Sequence, residues 1–289
     1  MKLVVKIGGK AAEDTKGRRR LARQIVDLVR AGHSVVVVHG GGSALTRTLD
    51  RLGIHTEFYQ GLRVTDAATR DVALMVLAGI VNKQWVGEFA ALSQAALGIT
   101  GGDAGMVRAR KLSLGSNGHK KDLGYVGRPY KIRTGVLEMA LRAGIVPVVA
   151  SLGLGARGEF LNINADDLAA SLAVALEADR LFYLTESGGV WDANRRLLPL
   201  VKLSEIPGLI RKGVVRDGMI PKLRSCARLL RKNVGEIDIL AADGSKDLLR
   251  AVNHGQHVGT RIVKVAPIRV KRRPLGRQVP TAGLAQGRL

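Results

Sequence analysis

Residues 2–9 read Lys-Leu-Val-Val-Lys-Ile-Gly-Gly, and residues 35–42 read Val-Val-Val-Val-His-Gly-Gly-Gly. Both stretches begin with an apolar, largely β-branched run, which is typical of a strand buried in a parallel sheet. Both end in glycines, which let the backbone approach a ligand closely and point N–H groups at an anion. Lys6 lies near the end of the first strand, where open α/β sheets bind their ligands. A snorkelling lysine and a glycine turn would explain the first stretch alone, but the pair predicts a phosphate-binding sheet edge.

The rest of the chain alternates strands with helices, which predicts an α/β protein. We expect a three-layer αβα sandwich around a mostly parallel central sheet. Later strands are predicted at 145–150, 181–184, 236–241 and 260–265. The segment 106–132 has weak periodicity and several glycines, and we expect it to form β-hairpins or loops that project from the sheet.

Three predicted helices lie near the glycine loops. Ser43 is expected to cap a helix over 44–52, whose N-terminus would favour an anion at the second loop. A second helix is expected to start at Ala67 with Thr65 or Asp66 as its cap, and its apolar stretch over 73–92 is expected to be core or a subunit contact. Residues 161–167 read Leu-Asn-Ile-Asn-Ala-Asp-Asp and lead into a predicted helix over 168–176.

Composition excludes several classes of protein. The chain has 289 residues, 46% hydrophobic and 3% aromatic, so a sizeable core must be aliphatic. The single cysteine, Cys226, excludes an internal disulfide and a cysteine-rich metal site, and we expect it to be inert packing. No secretory segment opens the chain and no apolar run is long enough to cross a bilayer. These features predict a cytoplasmic protein without a membrane segment or a protein-held metal.

The net charge of +22 is unusually high, and part of it is localised. Residues 264–289 hold seven Lys and Arg side chains and no acidic residue, and a second basic cluster lies between 108 and 133. Such a surface favours acidic partners and binds nucleic acid nonspecifically. Dedicated nucleic-acid binding ranks low, because no recognition motif is present and aromatic residues are scarce. We predict that 266–289 is a disordered basic tail.

Two common nucleotide-binding patterns are absent. A Rossmann dehydrogenase needs Gly-x-Gly-x-x-Gly after the first strand, and a Walker A loop needs Gly-x-x-x-x-Gly-Lys-Ser/Thr. Six segments in order instead resemble the amino acid kinase family over residues 1 to about 265, and within it the members that phosphorylate N-acetyl-L-glutamate. The segments are Lys6-Ile-Gly-Gly9, His39-Gly-Gly-Gly42, Gly61-Leu-Arg-Val-Thr65, Val81-Asn-Lys83, Asn162-Ile-Asn-Ala-Asp166 and Asp217-Gly-Met-Ile-Pro-Lys222.

The resemblance implies transfer of the ATP γ-phosphoryl group to the side-chain carboxylate of N-acetyl-L-glutamate, the second step of arginine biosynthesis. The product is N-acetyl-L-glutamyl 5-phosphate. An ionised carboxylate needs no general base, so two lysines can flank the transferring group and neutralise its charge. By resemblance these are Lys6 and Lys222, held in place by Asp166. For Asp166 a helix cap is the structural alternative.

The resemblance also assigns binding residues. Arg63 would clamp the α-carboxylate of the substrate with its guanidinium fork. The other substrate-binding residues it implies are Gly41, Gly42 and Asn162. ATP is the implied co-substrate, with Mg²⁺ held by its phosphates and water. The implied nucleotide- and phosphate-binding residues are Gly8, Gly9, Glu186, Ser187, Gly188, Gly189, Val214, Val215 and Arg216. The family usually has Asp where this chain has Glu186.

Two alternative functions remain open. A related kinase phosphorylates aminoadipate or glutamate attached to an acidic carrier protein, which the basic surface would suit. A non-enzymatic nucleic-acid or acidic-partner binding protein would also explain the charge. The resemblance implies one kinase domain over 1–265, with substrate binding in about 1–175 and ATP binding in about 176–265. It further implies an arginine-insensitive homodimer, since the strand at Lys2 leaves no room for the extra helix that arginine-inhibited hexameric members carry.

Overall fold

The computed structural model describes residues 1–8, 14–116, 119–215, 219–232, 234–242, 247–253 and 258–264. Gly9, Arg216 and the tail 266–289 lie outside these described residues, and so do the predictions made for them.

A single mixed sheet forms the centre of the protein. Its strands within the described residues are β1 (Lys2–Ile7), β2 (Ser34–His39), β5 (Ala96–Thr100), β8 (Val146–Ala150), β11 (Arg180–Thr185), β12 (Leu200–Lys202), β13 (Glu236–Ala241) and β14 (Thr260–Val263). They follow the order β12-β14-β13-β11-β1-β2-β8-β5. All neighbouring pairs are parallel except β13 with β14. The predicted mostly parallel sheet is confirmed.

Helices cover both faces of this sheet. On one face lie α1 (Thr15–Arg30), α2 (Gly42–Arg51), α3 (Ala67–Ala73), α4 (Asn82–Ala90) and α9 (Asp247–Asn253). On the other lie α5 (Gly135–Arg142), α6 (Ala165–Ala175), α7 (Ile206–Arg211) and α8 (Met219–Leu230). In β1, Leu3, Val5 and Ile7 pack into the first layer and Val4 into the second. The period-two alternation of a strand thus fills two cores, as the three-layer prediction requires.

Six short or projecting strands of the described part of the chain lie outside the central sheet. The strands β6 (Val107–Ser116), β7 (His119–Ile132), β9 (Leu152–Leu154) and β10 (Phe160–Ile163) close into a small barrel. The strands β3 (Phe58–Tyr59) and β4 (Leu62–Arg63) form a separate hairpin. The hairpins predicted over 106–132 are confirmed by the antiparallel pairing of β6 with β7. The strand β10 was not predicted from the sequence, because its four residues show no long pattern.

The long apolar helix is less regular than predicted. Helices α3 and α4 flank a π-helical segment, Leu74–Val81. The chain therefore runs helically from Ala67, the predicted start, to Ala90, two residues before the predicted end. The predicted cap at Asp66 is confirmed, since its side chain accepts from the Thr69 N–H at 2.7 Å. The central sheet and this irregular helix place the first two strand ends beside the barrel.

Candidate active site

A cavity of about 250 Å³ opens at the carboxyl ends of β1 and β2. Its walls come from the first strand, the glycine loop after the second, the β3–β4 hairpin and the β10–α6 connection. Six residues predicted from the sequence line it together: Lys6, Gly41, Gly42, Arg63, Asn162 and Asp166. Segments separated by up to about half the chain thus meet at one edge of the sheet, as the rule for open α/β folds predicts.

Asp166 binds both predicted lysines. Lys6 Nζ lies 2.8 Å from Asp166 Oδ1, and Lys222 Nζ forms a short ion pair with Oδ2. The lysines are 12% and 13% exposed and the carboxylate is 25% exposed. Burial alone would raise the pKa of Asp166, but Lys6 and Lys222 lower it to about 2. The carboxylate is therefore ionised at neutral pH and holds two ammonium groups beside the cavity.

The predicted capping role of Asp166 belongs to Asn164 instead. The Asn164 side-chain oxygen accepts from the N–H groups of Asp166 and Asp167, at 2.8 and 3.3 Å. Helix α6 therefore starts at Ala165, three residues before the predicted start. With the cap supplied by Asn164, both oxygens of Asp166 are left for the lysines.

The backbone of Gly8 continues the pairing of β1 with β11, because its N–H donates to the Leu184 carbonyl at 3.1 Å. Its phosphate-binding role stays a prediction. A Cβ built on Gly8 would overlap Lys6 Nζ. Glycine is needed at this position because the Lys6 side chain folds back over it to reach Asp166.

The second glycine loop is packed against the π-helical segment. A Cβ on Gly41 would lie 2.7 Å from Leu77 Cδ2 and 3.2 Å from Val81 Cγ2. Helix α2 starts at Gly42 with Gly41 as its N-cap and no side-chain cap, so the predicted Ser43 cap and start at 44 were wrong. The first N–H groups of an uncapped helix are available to a ligand, and both glycines line the cavity.

Arg63 is buried at the cavity wall with part of its hydrogen-bonding capacity unused. Its Nη2 donates to Thr46 Oγ1 at 2.6 Å and to the Gly42 carbonyl at 3.3 Å. Its guanidinium lies over the Phe58 ring, 4.6 Å from the centroid. Among the described residues, Nη1 has no hydrogen-bond partner. Burial lowers the pKa of Arg63, and Asp50 only partly offsets this. A buried cation with a spare donor is suited to bind an anion.

Asn162 faces the same cavity from β10. Its side-chain amide donates weakly to Thr65 Oγ1, at 3.4 Å. Thr65 is fully buried, and its hydroxyl donates to the Arg63 carbonyl at 2.9 Å. The Thr65 hydroxyl therefore links the Asn162 side chain to the Arg63 backbone.

Sequence reasoning missed two buried polar residues behind the glycine loop. His39 and Asn82 are each 1% exposed, and the Asn82 amide lies 3.1 Å from His39 Nε2. Both belong to the segments that carry the family resemblance. The signal in the sequence was a histidine directly after four valines, since a buried imidazole needs partners.

The predicted nucleotide residues lie in two other places. Glu186, Ser187, Gly188 and Gly189 follow β11, where the first two are exposed. The hydroxyls of Thr185 and Ser187 are 3.0 Å apart. Val214 and Val215 follow α7, and their N–H groups donate to the Leu209 carbonyl at 3.1 and 3.4 Å. Their nucleotide-binding role stays a prediction.

A larger cleft, of about 640 Å³, lies between β7, α6 and α8. Arg128, Arg228 and Asp167 line it, whereas none of the predicted site residues does. The predicted inert packing of Cys226, on α8, agrees with its complete burial, which raises the pKa of its thiol to about 12.

Two features are absent from the described residues. No group of three or more His, Cys, Asp and Glu side chains there could hold a metal ion. No helix in the described part of the chain is long and apolar enough to span a bilayer.

Known proteins resemble this chain over most of its length. A profile described as "Amino acid kinase family" matches residues 1–241. The acetylglutamate kinase of Koribacter versatilis is 45% identical over 263 residues, covering 91% of this chain and 99% of that protein. The acetylglutamate kinase of Bradyrhizobium diazoefficiens is 40% identical over 268 residues, covering 91% of each.

Solved structures share the fold. The N-acetylglutamate synthase of Neisseria gonorrhoeae, solved with coenzyme A and N-acetyl-glutamate, has a TM-score of 0.81 and 27% identity. The match covers 92% of this chain but only 60% of the synthase chain. The carbamate kinase of Giardia lamblia bound to AMP-PNP has a TM-score of 0.62 and 18% identity, covering 91% and 98% of the two chains, which shows a common fold alone.

Proposed function

The chain belongs to the amino acid kinase family, and we propose that it transfers the γ-phosphoryl group of ATP to the side-chain carboxylate of N-acetyl-L-glutamate. The product would be N-acetyl-L-glutamyl 5-phosphate, an intermediate of arginine biosynthesis. Several relatives at 40–45% identity bear the name acetylglutamate kinase, and they match from 77% to 91% of this chain.

One observation carries the proposal: the Lys6–Asp166–Lys222 ion-pair cluster borders the same cavity as Arg63. In the cluster, the ammonium groups of two lysines are both bound to the Asp166 carboxylate. Arg63 supplies a spare donor on a buried guanidinium. A substrate with two carboxylates fits this arrangement, since Arg63 can hold one and the lysines can face the other.

The proposed chemistry uses the charges directly. An oxygen of the side-chain carboxylate attacks the γ-phosphorus of ATP, and the bond from that phosphorus to the β,γ-bridging oxygen breaks. ADP leaves with the bond electrons, and the phosphoryl group ends on the carboxylate oxygen. No proton moves, so no general base is needed. Lys6 and Lys222 would neutralise charge on the transferring group, while Asp166 keeps both ammonium groups oriented.

We assign the other half of the site by family position. Glu186 to Gly189 and Val214 to Arg216 would bind the nucleotide, and Gly9 its phosphates. Both Asp166 oxygens are already bound by lysines, so Mg²⁺ would be held by the ATP phosphates and water, where it offsets phosphate charge. Residues of about 1–175 would then bind the acceptor and those of about 176–265 the nucleotide. The use of ATP as a substrate and the free thiol of Cys226 both suit a cytoplasmic location.

A coupled assay of ADP release tests the substrate. We expect turnover with free N-acetyl-L-glutamate to exceed turnover with glutamate, aspartate or 2-aminoadipate by more than tenfold. Turnover seen only after an acidic carrier protein is added would instead show that the substrate is carrier-bound.

The two lysines are tested by substitution. Lys6→Ala and Lys222→Ala should each reduce kcat by about a hundredfold or more with unchanged circular dichroism, since each removes one transition-state charge contact.

We also propose that the protein is a homodimer. The exposed face of the π-helical segment carries Met75 and Ile80, which are 58% and 53% exposed. Large apolar side chains clustered on one helix face are typical of subunit contacts. Light scattering should show a dimer for the native chain and a monomer for Met75→Glu with Ile80→Glu. Met139→Glu, at a residue that is also 58% exposed but lies on α5, is the control and should remain dimeric.

A further inference from the structure

The valine run of β2 ends in a histidine that is sealed from solvent, and its partner Asn82 is equally buried. We propose that His39 and Asn82 form a positioning pair that fixes the shape of the Gly40–Gly42 loop at the acceptor cavity. Neither side chain lines the cavity, so the pair acts through the loop. The inference deepens the proposed function, and its kinetic test rests on it.

The hydrogen bonds settle where the imidazole proton lies. Asn82 Nδ2 is 2.9 Å from the Val148 carbonyl, which only accepts, so this atom is the amide nitrogen. The same nitrogen is 3.1 Å from His39 Nε2, which must therefore accept. The proton is then on Nδ1, which donates to the Gly40 carbonyl at 2.7 Å. Burial lowers the pKa of His39 to about 4, so the ring is neutral at pH 7 and keeps this arrangement.

The bond to Gly40 controls the loop that follows. Gly41 comes next and has no room to move toward Leu77 and Val81. Gly42 then starts α2, and its carbonyl accepts from Arg63. All three glycines and Arg63 line the cavity. A rotation of the Gly40 peptide would therefore shift the acceptor side of the site and leave the lysine cluster in place.

The π-helical segment gives the pair its geometry. Leu77 and Val81 belong to this segment and fill the space that a Cβ on Gly41 would need, and Asn82 is the residue directly after it. A π-helical turn holds more residues than an α-helical turn, and such turns occur frequently at functional sites. One residue fewer would rotate the following residues by about 100° around the helix axis. Asn82 would then point away from His39, so the irregular segment is what brings the two side chains together.

Nuclear magnetic resonance of the native chain tests the pair without any activity. In ¹³C,¹⁵N-labelled native protein at pH 7, the His39 ring resonances, assigned through the His39 backbone, should show a neutral ring protonated on Nδ1. A ring protonated on Nε2, or on both nitrogens, would overturn the proposal. This result is decisive even if the variants below do not fold or if N-acetyl-L-glutamate is not the substrate.

Two substitutions separate positioning from packing. The amide nitrogen of asparagine occupies about the place of imidazole Nδ1, and that of glutamine about the place of Nε2. We expect His39→Asn to keep the KM for N-acetyl-L-glutamate within about threefold. His39→Gln should raise it about tenfold, as for a lost buried hydrogen bond, with the KM for ATP within twofold. Equal effects of the two variants, or equal effects on both substrates, would refute the role. Ala90→Ser, at an exposed residue of the same helix α4, is the control and should match the native chain.

Discussion

Replacing Asp166 with asparagine removes the charge that holds the two lysines. In the native chain Lys6 and Lys222 both contact this carboxylate. The substituted amide would keep the size of the side chain, and the helix cap would stay with Asn164. The substitution therefore isolates the electrostatic contribution, because two ammonium groups would face each other without a counterion.

The size of the effect on stability follows from the pKa. The lysines hold the pKa of Asp166 at about 2, against an ordinary value of 3.8. That difference corresponds to about 2 kcal/mol of folding free energy. Because the folded-state pKa is the lower one, the contribution is fully present above about pH 4. It is lost as the pH falls through about 2. Asp166→Asn should therefore unfold about 2 kcal/mol more easily than the native chain at pH 7, and the difference should shrink at pH 3.

The effect on turnover should be larger. Misplaced lysines no longer match the charge on the transferring phosphoryl group, which commonly costs about a hundredfold or more in kcat. Urea unfolding at pH 7 and at pH 3, together with the coupled ADP assay, measures both quantities.

Asp167→Asn is the matched control on the next residue. Burial raises the pKa of Asp167, so its ionised form does not stabilise the fold. The structure gives it no ion pair with either lysine. This variant should be as stable as the native chain or slightly more stable, with kcat within about threefold. Equal losses in the two variants, or native kcat in Asp166→Asn, would refute the reasoning.

Three further predictions concern single residues. Gly8→Ala should lower kcat at least tenfold with a normal circular dichroism spectrum, because the added methyl group would displace Lys6 Nζ; native kcat would contradict this. Arg63→Lys should raise the KM for N-acetyl-L-glutamate more than that for ATP, since lysine keeps the charge but loses the fork; equal changes in both KM values would exclude carboxylate recognition. Asp238→Asn should destabilise the fold by about 3 kcal/mol or more in urea unfolding, because Arg180 would lose its buried partner. That variant should retain native kcat while folded, and a selective loss of kcat would tie this ion pair to the site.

The sequence predicted which residues meet at the cavity better than it predicted the local structure around them. The motif residues Lys6, Asp166 and Lys222 were expected together, and they meet as one ion-pair cluster. Chemistry restricts which residue types can flank a phosphoryl group, so motifs in order are specific even when each is weak. Two predicted helix caps were wrong because a nearby residue takes the capping position. Gly41 caps α2 instead of Ser43, and Asn164 caps α6 instead of Asp166.

The sequence by itself determined the α/β class, the mostly parallel sheet and the sheet edge at which the candidate site lies. Local sequence patterns predict the buried strands and the glycines that end them, without any information about distant contacts. Only the tertiary structure decided that Gly8 makes room for Lys6, that the helix over Ala67–Ala90 is π-helical in its middle, and that His39 meets Asn82. Each of these depends on packing between segments far apart in the chain, and no local pattern encodes the space that a neighbour leaves.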